Sequence, residues 1–99
     1  MSKYKVAVSG DLRRAVPDYL AERRRDLPLL RSFYVTEDRE SLLRTAHAFT
    51  CSGRSFGIPR ISELGEQIEA LSKKGDAEGV SARIAELKDY IENLEVLYR

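Results

Sequence analysis

The residues of this chain best placed to do chemistry lie close together, at helical spacing. They occur in Arg44-Thr45-Ala46-His47-Ala48-Phe49-Thr50-Cys51-Ser52-Gly53-Arg54-Ser55-Phe56-Gly57, and the chain has no other histidine or cysteine. Leu42, Ala46, Phe49, Gly53 and Phe56 recur at helical steps and make one apolar or small face. His47 follows Ala46, which puts it at the edge of that face. Arg44, Thr50, Cys51 and Arg54 share its side of the helix. An imidazole at such a boundary can act as a nucleophile or carry a group, because it is largely neutral at neutral pH and keeps a free ring nitrogen.

Two other chemistries fit less well. His47 and Cys51 are four apart and could share a metal, but two ligands do not close a site, so no metal is expected. A Cys–His nucleophile pair needs a third group to orient the imidazole, and the sequence identifies none. Cys51 then reads as a small, soft residue beside the site, open to oxidation. A solitary helical histidine is more often a structural or surface residue than a reactive one. Spacing alone does not decide between these readings.

The elements that must hold this set are helices. Tyr4, Val6 and Val8 alternate with Lys5 and Ala7 and stop at Ser9-Gly10, which predicts a short extended arm. Asp11 is expected to cap a turn over Leu12 to Ala15. A long helix follows, with Val16, Tyr19, Leu20, Leu27 and Leu30 on one stripe. Pro17 suits a first turn, whereas Pro28 removes a donor and is expected to bend the helix. Thr36 is the expected N-cap of a second helix, with Glu37 and Asp38 at its positive end, running to about Ser55. Gly57 ends it and Pro59 opens a third, striped by Ile61, Leu64, Ile68 and Leu71. Gly65 in its middle predicts close helix packing. Lys73, Lys74 and Gly75 mark its end and Asp76 caps a last helix, striped by Val80, Ile84, Leu87, Ile91, Leu94 and Tyr98. The fold class expected is all-α: an antiparallel four-helix bundle with a short N-terminal extended or helical arm, as a single domain over 1–99.

Bulk properties narrow the function. The 99 residues leave room for one core, and a hydrophobic content of 42% argues against disorder. No apolar run is long enough for a membrane span, and the first residues lack a signal-peptide core. One cysteine excludes an internal disulfide and fits a reducing compartment, so a cytoplasmic location is expected. The net charge of +1 hides a dipole: residues 1–34 carry eight Lys and Arg against four Asp and Glu, and residues 61–99 carry five against nine. Arg23-Arg24-Arg25 is the densest basic run, flanked by Glu22 and Asp26 at pairing distance. No aromatic platform accompanies it, so no nucleic-acid partner is expected.

The run His47-Ala-Phe-Thr-Cys-Ser-Gly53-Arg-Ser-Phe56-Gly57 resembles the signature of histidine-containing phosphotransfer (HPt) domains. His47, Phe49, Ser52, Gly53, Phe56 and Gly57 fit it. Val16 to Arg24 looks like the first long helix of small stand-alone HPt proteins, Leu64 to Glu69 like the helix after the motif, and Gly75-Asp76 like the turn before the last helix. Two positions depart. The family usually has Lys three residues after the histidine, where this chain has Thr50, and Gly one residue later, where it has Cys51.

The resemblance implies a phosphocarrier that moves a phosphoryl group between aspartates of receiver domains, with His47 as phosphoacceptor. Arg44, Thr50, Cys51 and Arg54 would then face the phosphoryl group or the partner. Leu43, Ala48, Cys51 and Ile58 are candidate apolar contacts. The partner is a response-regulator receiver domain, a hybrid histidine kinase, or both. No ATP motif and no cofactor are expected, and the carrier is expected to be a monomer. The rival reading keeps the bundle as a phosphorylation-deficient module that docks on a receiver or kinase to inhibit or scaffold it. Thr50 and Cys51 favour the rival; His47 and Gly53 favour the carrier. A third reading, a structural bundle that self-associates through its last helix, rests on a stripe that any four-helix core would need.

Overall fold

Short polar side chains decide where this chain starts to coil. In the computed structural model, which describes residues 3–99, Ser9, Asp38 and Asp76 each accept a hydrogen bond from a backbone N–H just ahead of them. The partners are Asp11 N at 3.3 Å, Ser41 N at 3.2 Å and Gly79 N at 2.9 Å. Each satisfies one of the donors that a helix start leaves open. The order is β1 (Tyr4–Val8), a 3-10 turn (Gly10–Leu12), α1 (Ala15–Val35), α2 (Arg39–Ser52), a 3-10 turn (Arg54–Phe56), α3 (Pro59–Lys74), α4 (Ala77–Glu92) and β2 (Leu94–Tyr98).

The four helices expected from periodicity are present and form a four-helix bundle. Each packs on its neighbour in the chain, and α4 closes the ring against α1. Their buried faces follow the predicted stripes: Val16, Tyr19, Leu20, Leu27 and Leu30 on α1, Leu42, Ala46 and Phe49 on α2, Ile61, Leu64 and Ile68 on α3 with Leu71 only partly buried, and Val80, Ile84, Leu87 and Ile91 on α4. Each large apolar side chain removed from water in this way contributes about 1.5–3 kcal/mol.

Several boundaries differ from the sequence reading. The first turn lies at Gly10–Leu12 and is capped by Ser9, not by Asp11. Helix α1 continues through Pro28 to Val35, with the ring exposed. Thr36 is not an N-cap: it follows α1, and its hydroxyl donates back to Ser32 O at 2.9 Å. Glu37, at φ 59, reverses the chain, and Asp38 caps α2. The hydrogen bonds from Ser41 hold the Asp38 carboxyl below its ordinary pKa. Helix α2 ends at Ser52, before Ser55, because Ile58 N donates to Gly53 O at 2.8 Å and a 3-10 turn takes over. Gly57, at φ 77, closes that turn in a conformation that suits glycine, and Val8 packs against it.

The largest difference is at the end of the chain. Leu94 and Tyr98 fit the stripe of α4, yet the helix stops at Glu92. Asn93 turns the chain, its side-chain amide donating to Asp89 O at 2.9 Å. Leu94–Tyr98 then runs extended and pairs in parallel with β1, Tyr4 opposite Leu94 and Val8 opposite Tyr98. The expected N-terminal arm is therefore one half of a two-stranded sheet. Tyr4 anchors it, its hydroxyl donating to Asp89 Oδ2 at 2.6 Å and its ring lying 5.1 Å from that of Tyr90.

Candidate functional site

The site begins with a close approach of α2 and α3. A Cβ built on Gly65 would lie 2.6 Å from Thr50 Oγ1, 2.7 Å from Thr50 N and 3.0 Å from Ala46 O. No side chain fits there, so glycine lets the two backbones meet. Glu69 stands one turn further along α3, which brings it across from His47 and Thr50 on α2.

The result is a chain of polar contacts. Glu69 Oε1 lies 3.1 Å from His47 Nδ1, and the Thr50 hydroxyl donates to Glu69 Oε2 at 2.6 Å. Cys51 Sγ lies 3.0 Å from His47 Nε2. An ionised carboxylate can only accept, so this geometry calls for the imidazole tautomer with its proton on Nδ1. Nε2 then keeps its lone pair, and the Cys51 S–H is oriented to donate to it. The His47 side chain is 61% exposed while that of Glu69 is 17% exposed, so a mostly buried anchor holds an exposed ring. Such an arrangement fixes a nucleophile at the surface.

The arginines are occupied elsewhere. Arg44 pairs with Glu40, one turn back on α2, at 3.2 Å. Arg54 pairs closely with Glu66 of α3, which raises the guanidinium pKa further. Neither contacts His47. Thr50, at the position where a lysine is usual in the family described above, faces Glu69 rather than open solvent. Of the expected apolar contacts, Cys51 is exposed, Leu43 and Ala48 are half-buried, and Ile58 is fully buried and offers nothing to a partner.

Other residues of the motif serve the fold. The Ser52 hydroxyl is 2.8 Å from Tyr19 OH, and Phe56 stacks on the Tyr19 ring at 4.2 Å. Arg23 of the basic run lies over the rings of Tyr19 and Phe49 and pairs with Asp26 at 3.2 Å, which makes it part of the packing.

Glu69 is the residue that sequence reasoning missed. One signal was available: Gly65 marks the face of α3 that meets α2, and Glu69 is four residues further along that face. Among the described residues, no three His, Cys, Asp or Glu side chains gather to hold a metal ion, and no helix is long and apolar enough to cross a membrane.

No curated protein and no solved structure matches the chain. The family model of the Hpt domain matches residues 10–96, which takes in all four helices and most of β2. The chain therefore belongs to the Hpt domain family, whose members carry out histidine phosphotransfer in phosphorelays and interact there with receiver domains and kinases.

Proposed function

We propose that this protein is a phosphocarrier with His47 Nε2 as the phosphoacceptor. The observation that supports this reading most is the anchoring of Nδ1 by Glu69, which leaves the opposite nitrogen of an exposed ring as the nucleophile. Nε2 would attack the phosphorus of a receiver's aspartyl phosphate. The N–P bond forms, the P–O bond to the aspartate breaks, and the carboxylate leaves on the receiver. The proton on Nδ1 stays in place, and the Glu69 carboxylate offsets the positive charge that builds on the ring. Cys51 Sγ must turn away from Nε2 for this to occur. The receiver supplies its own metal ion and acid chemistry, so this chain acts as substrate and carrier. We place it in the cytoplasm as a monomer.

One observation favours a second reading, a docking module that is not phosphorylated. A phosphoryl group brings a charge of about −1.5 to −2, and among the described residues both arginines near His47 on α2 and the turn after it are already paired. Arg44 and Arg54 are paired with carboxylates, and Glu69 adds another negative charge. On this reading the chain would bind a receiver or kinase and block or scaffold it.

A transfer assay separates the two. Phosphorylated receiver domains from the same cell are mixed with wild-type protein and with His47→Gln. The carrier reading expects acid-labile, base-stable label on the wild type only. Receiver binding without label on either protein would establish the docking module instead.

A further inference from the structure

Cys51, His47 and Glu69 form a nucleophile, a base and a group that orients the base, the third partner that the sequence alone did not supply. We propose that Cys51 is a modification site: hydrogen peroxide oxidises its thiol to a sulfenic acid, and this closes His47 Nε2 to phosphoryl transfer. The effect on transfer rests on the carrier reading above; the chemistry at sulfur does not.

The geometry carries the argument. Sγ lies 3.0 Å from Nε2, and the lone pair of that nitrogen is the one a phosphoryl group would need. Glu69, 3.1 Å from Nδ1 and fixed by Thr50 at 2.6 Å, keeps the ring in the tautomer that can take the thiol proton. Cys51 is exposed, so a small peroxide reaches sulfur without a binding pocket.

The step balances. The thiol proton moves to Nε2 and sulfur attacks one peroxide oxygen. The O–O bond breaks, and the departing hydroxide takes the proton from Nε2 to leave as water. Sulfur is oxidised by two electrons and the peroxide is reduced by two. A sulfenic O–H is a stronger donor than a thiol S–H, so it holds the Nε2 lone pair more firmly and adds an oxygen where phosphorus must approach. The chain has no second cysteine to resolve the sulfenic acid. The closed state therefore lasts until an external thiol reduces it.

Hydrogen peroxide is the probe, and a cyclic diketone traps and locates the sulfenic acid. The wild-type thiol is expected to react faster than that of His47→Gln at the same pH. Oxidised wild type is expected to lose its label from a phosphorylated receiver and to regain it after dithiothreitol. Cys51→Ala, whatever its own rate, keeps that rate after peroxide. Equal labelling of oxidised and reduced wild type overturns the proposal, as does a His47→Gln thiol that reacts as fast as the wild type. Absence of label on the fully reduced protein refutes the carrier reading itself, and the gate falls with it.

Discussion

Replacing Glu69 tests whether the anchored ring matters for transfer. Glu69→Ala removes the acceptor 3.1 Å from His47 Nδ1, while the Thr50 hydroxyl keeps Ala46 O as a partner at 3.2 Å, so only the exposed His47 donor loses its acceptor. Two effects of the carboxylate oppose each other. A hydrogen bond to a charged group contributes about 1.5–3 kcal/mol, and the 61% exposure of the His47 side chain argues for the lower end. Against it, adding the width of the ring and an N–P bond to the contact puts the phosphoryl charge about 7 Å from the carboxylate, a repulsion of about 1 kcal/mol in bulk water. That distance is close to the Debye length at physiological salt, so screening reduces the repulsion to roughly 0.5 kcal/mol. The contact wins by about 1 kcal/mol, or roughly fivefold in rate. Glu69→Gln keeps a neutral acceptor, with a hydrogen bond about half as strong. The expected order of phosphorylation rates is therefore wild type, then Glu69→Gln, then Glu69→Ala. Single-turnover transfer from a labelled receiver at physiological salt measures it. A Glu69→Ala rate at or above wild type would show that the repulsion dominates and that anchoring Nδ1 is not what Glu69 does.

Two further predictions concern stability. Gly65→Ala gains about 1 kcal/mol of helix propensity but drives a Cβ to within 2.7 Å of the Thr50 backbone N. Overpacking of this kind costs about 1–3 kcal/mol, and because backbone must move the upper end applies, for a net loss of about 2 kcal/mol in denaturant unfolding. An unchanged midpoint would mean that α2 and α3 do not meet at Gly65. The hydrogen bonds from Tyr4 and then Lys3 lower the Asp89 pKa below the ordinary carboxylate value. Its contribution is complete above that ordinary value, about 4, and is lost as pH falls through the lowered folded value. Thermal melts of Asp89→Asn are expected to lack this part of the acid limb, and a limb identical to wild type would refute the assignment.

What could be read from the sequence was what single residues enforce locally. Pro59 at a helix start, Gly75 at a helix end and the Asp76 cap all act on backbone within one turn, and all three stand where expected. Gly65 was legible as a close approach. The misreadings come from signals that two structures share. Ile91, Leu94 and Tyr98 lie three, four and seven apart and fit a helix, while Leu94, Val96 and Tyr98 fit an inward-facing strand equally well. Pairing with Tyr4–Val8, at the far end of the chain, decides between them. Thr36 and Asp38 are both good caps, and the reversal at Glu37 selects the second. Glu69 was hidden for a different reason: its role depends on which helix lies opposite, and charge on an amphipathic helix usually means solvent.

The parallel strand pair also has a consequence for the order of folding. Among the described residues each strand is the other's only ladder partner, so β1 and β2 must form together and be lost together. Their pairing spans nearly the whole chain, and closing so long a loop in an unfolded chain carries a large entropy cost. The helices need only contacts between chain neighbours, apart from α1 against α4. Once the bundle stands, α4 lies along α1, with Arg31 donating to Ser81 Oγ at 3.0 Å, and part of the closure has been accomplished. The sheet is thus a clasp that shuts after the bundle has formed, and it is the first cooperative unit to open.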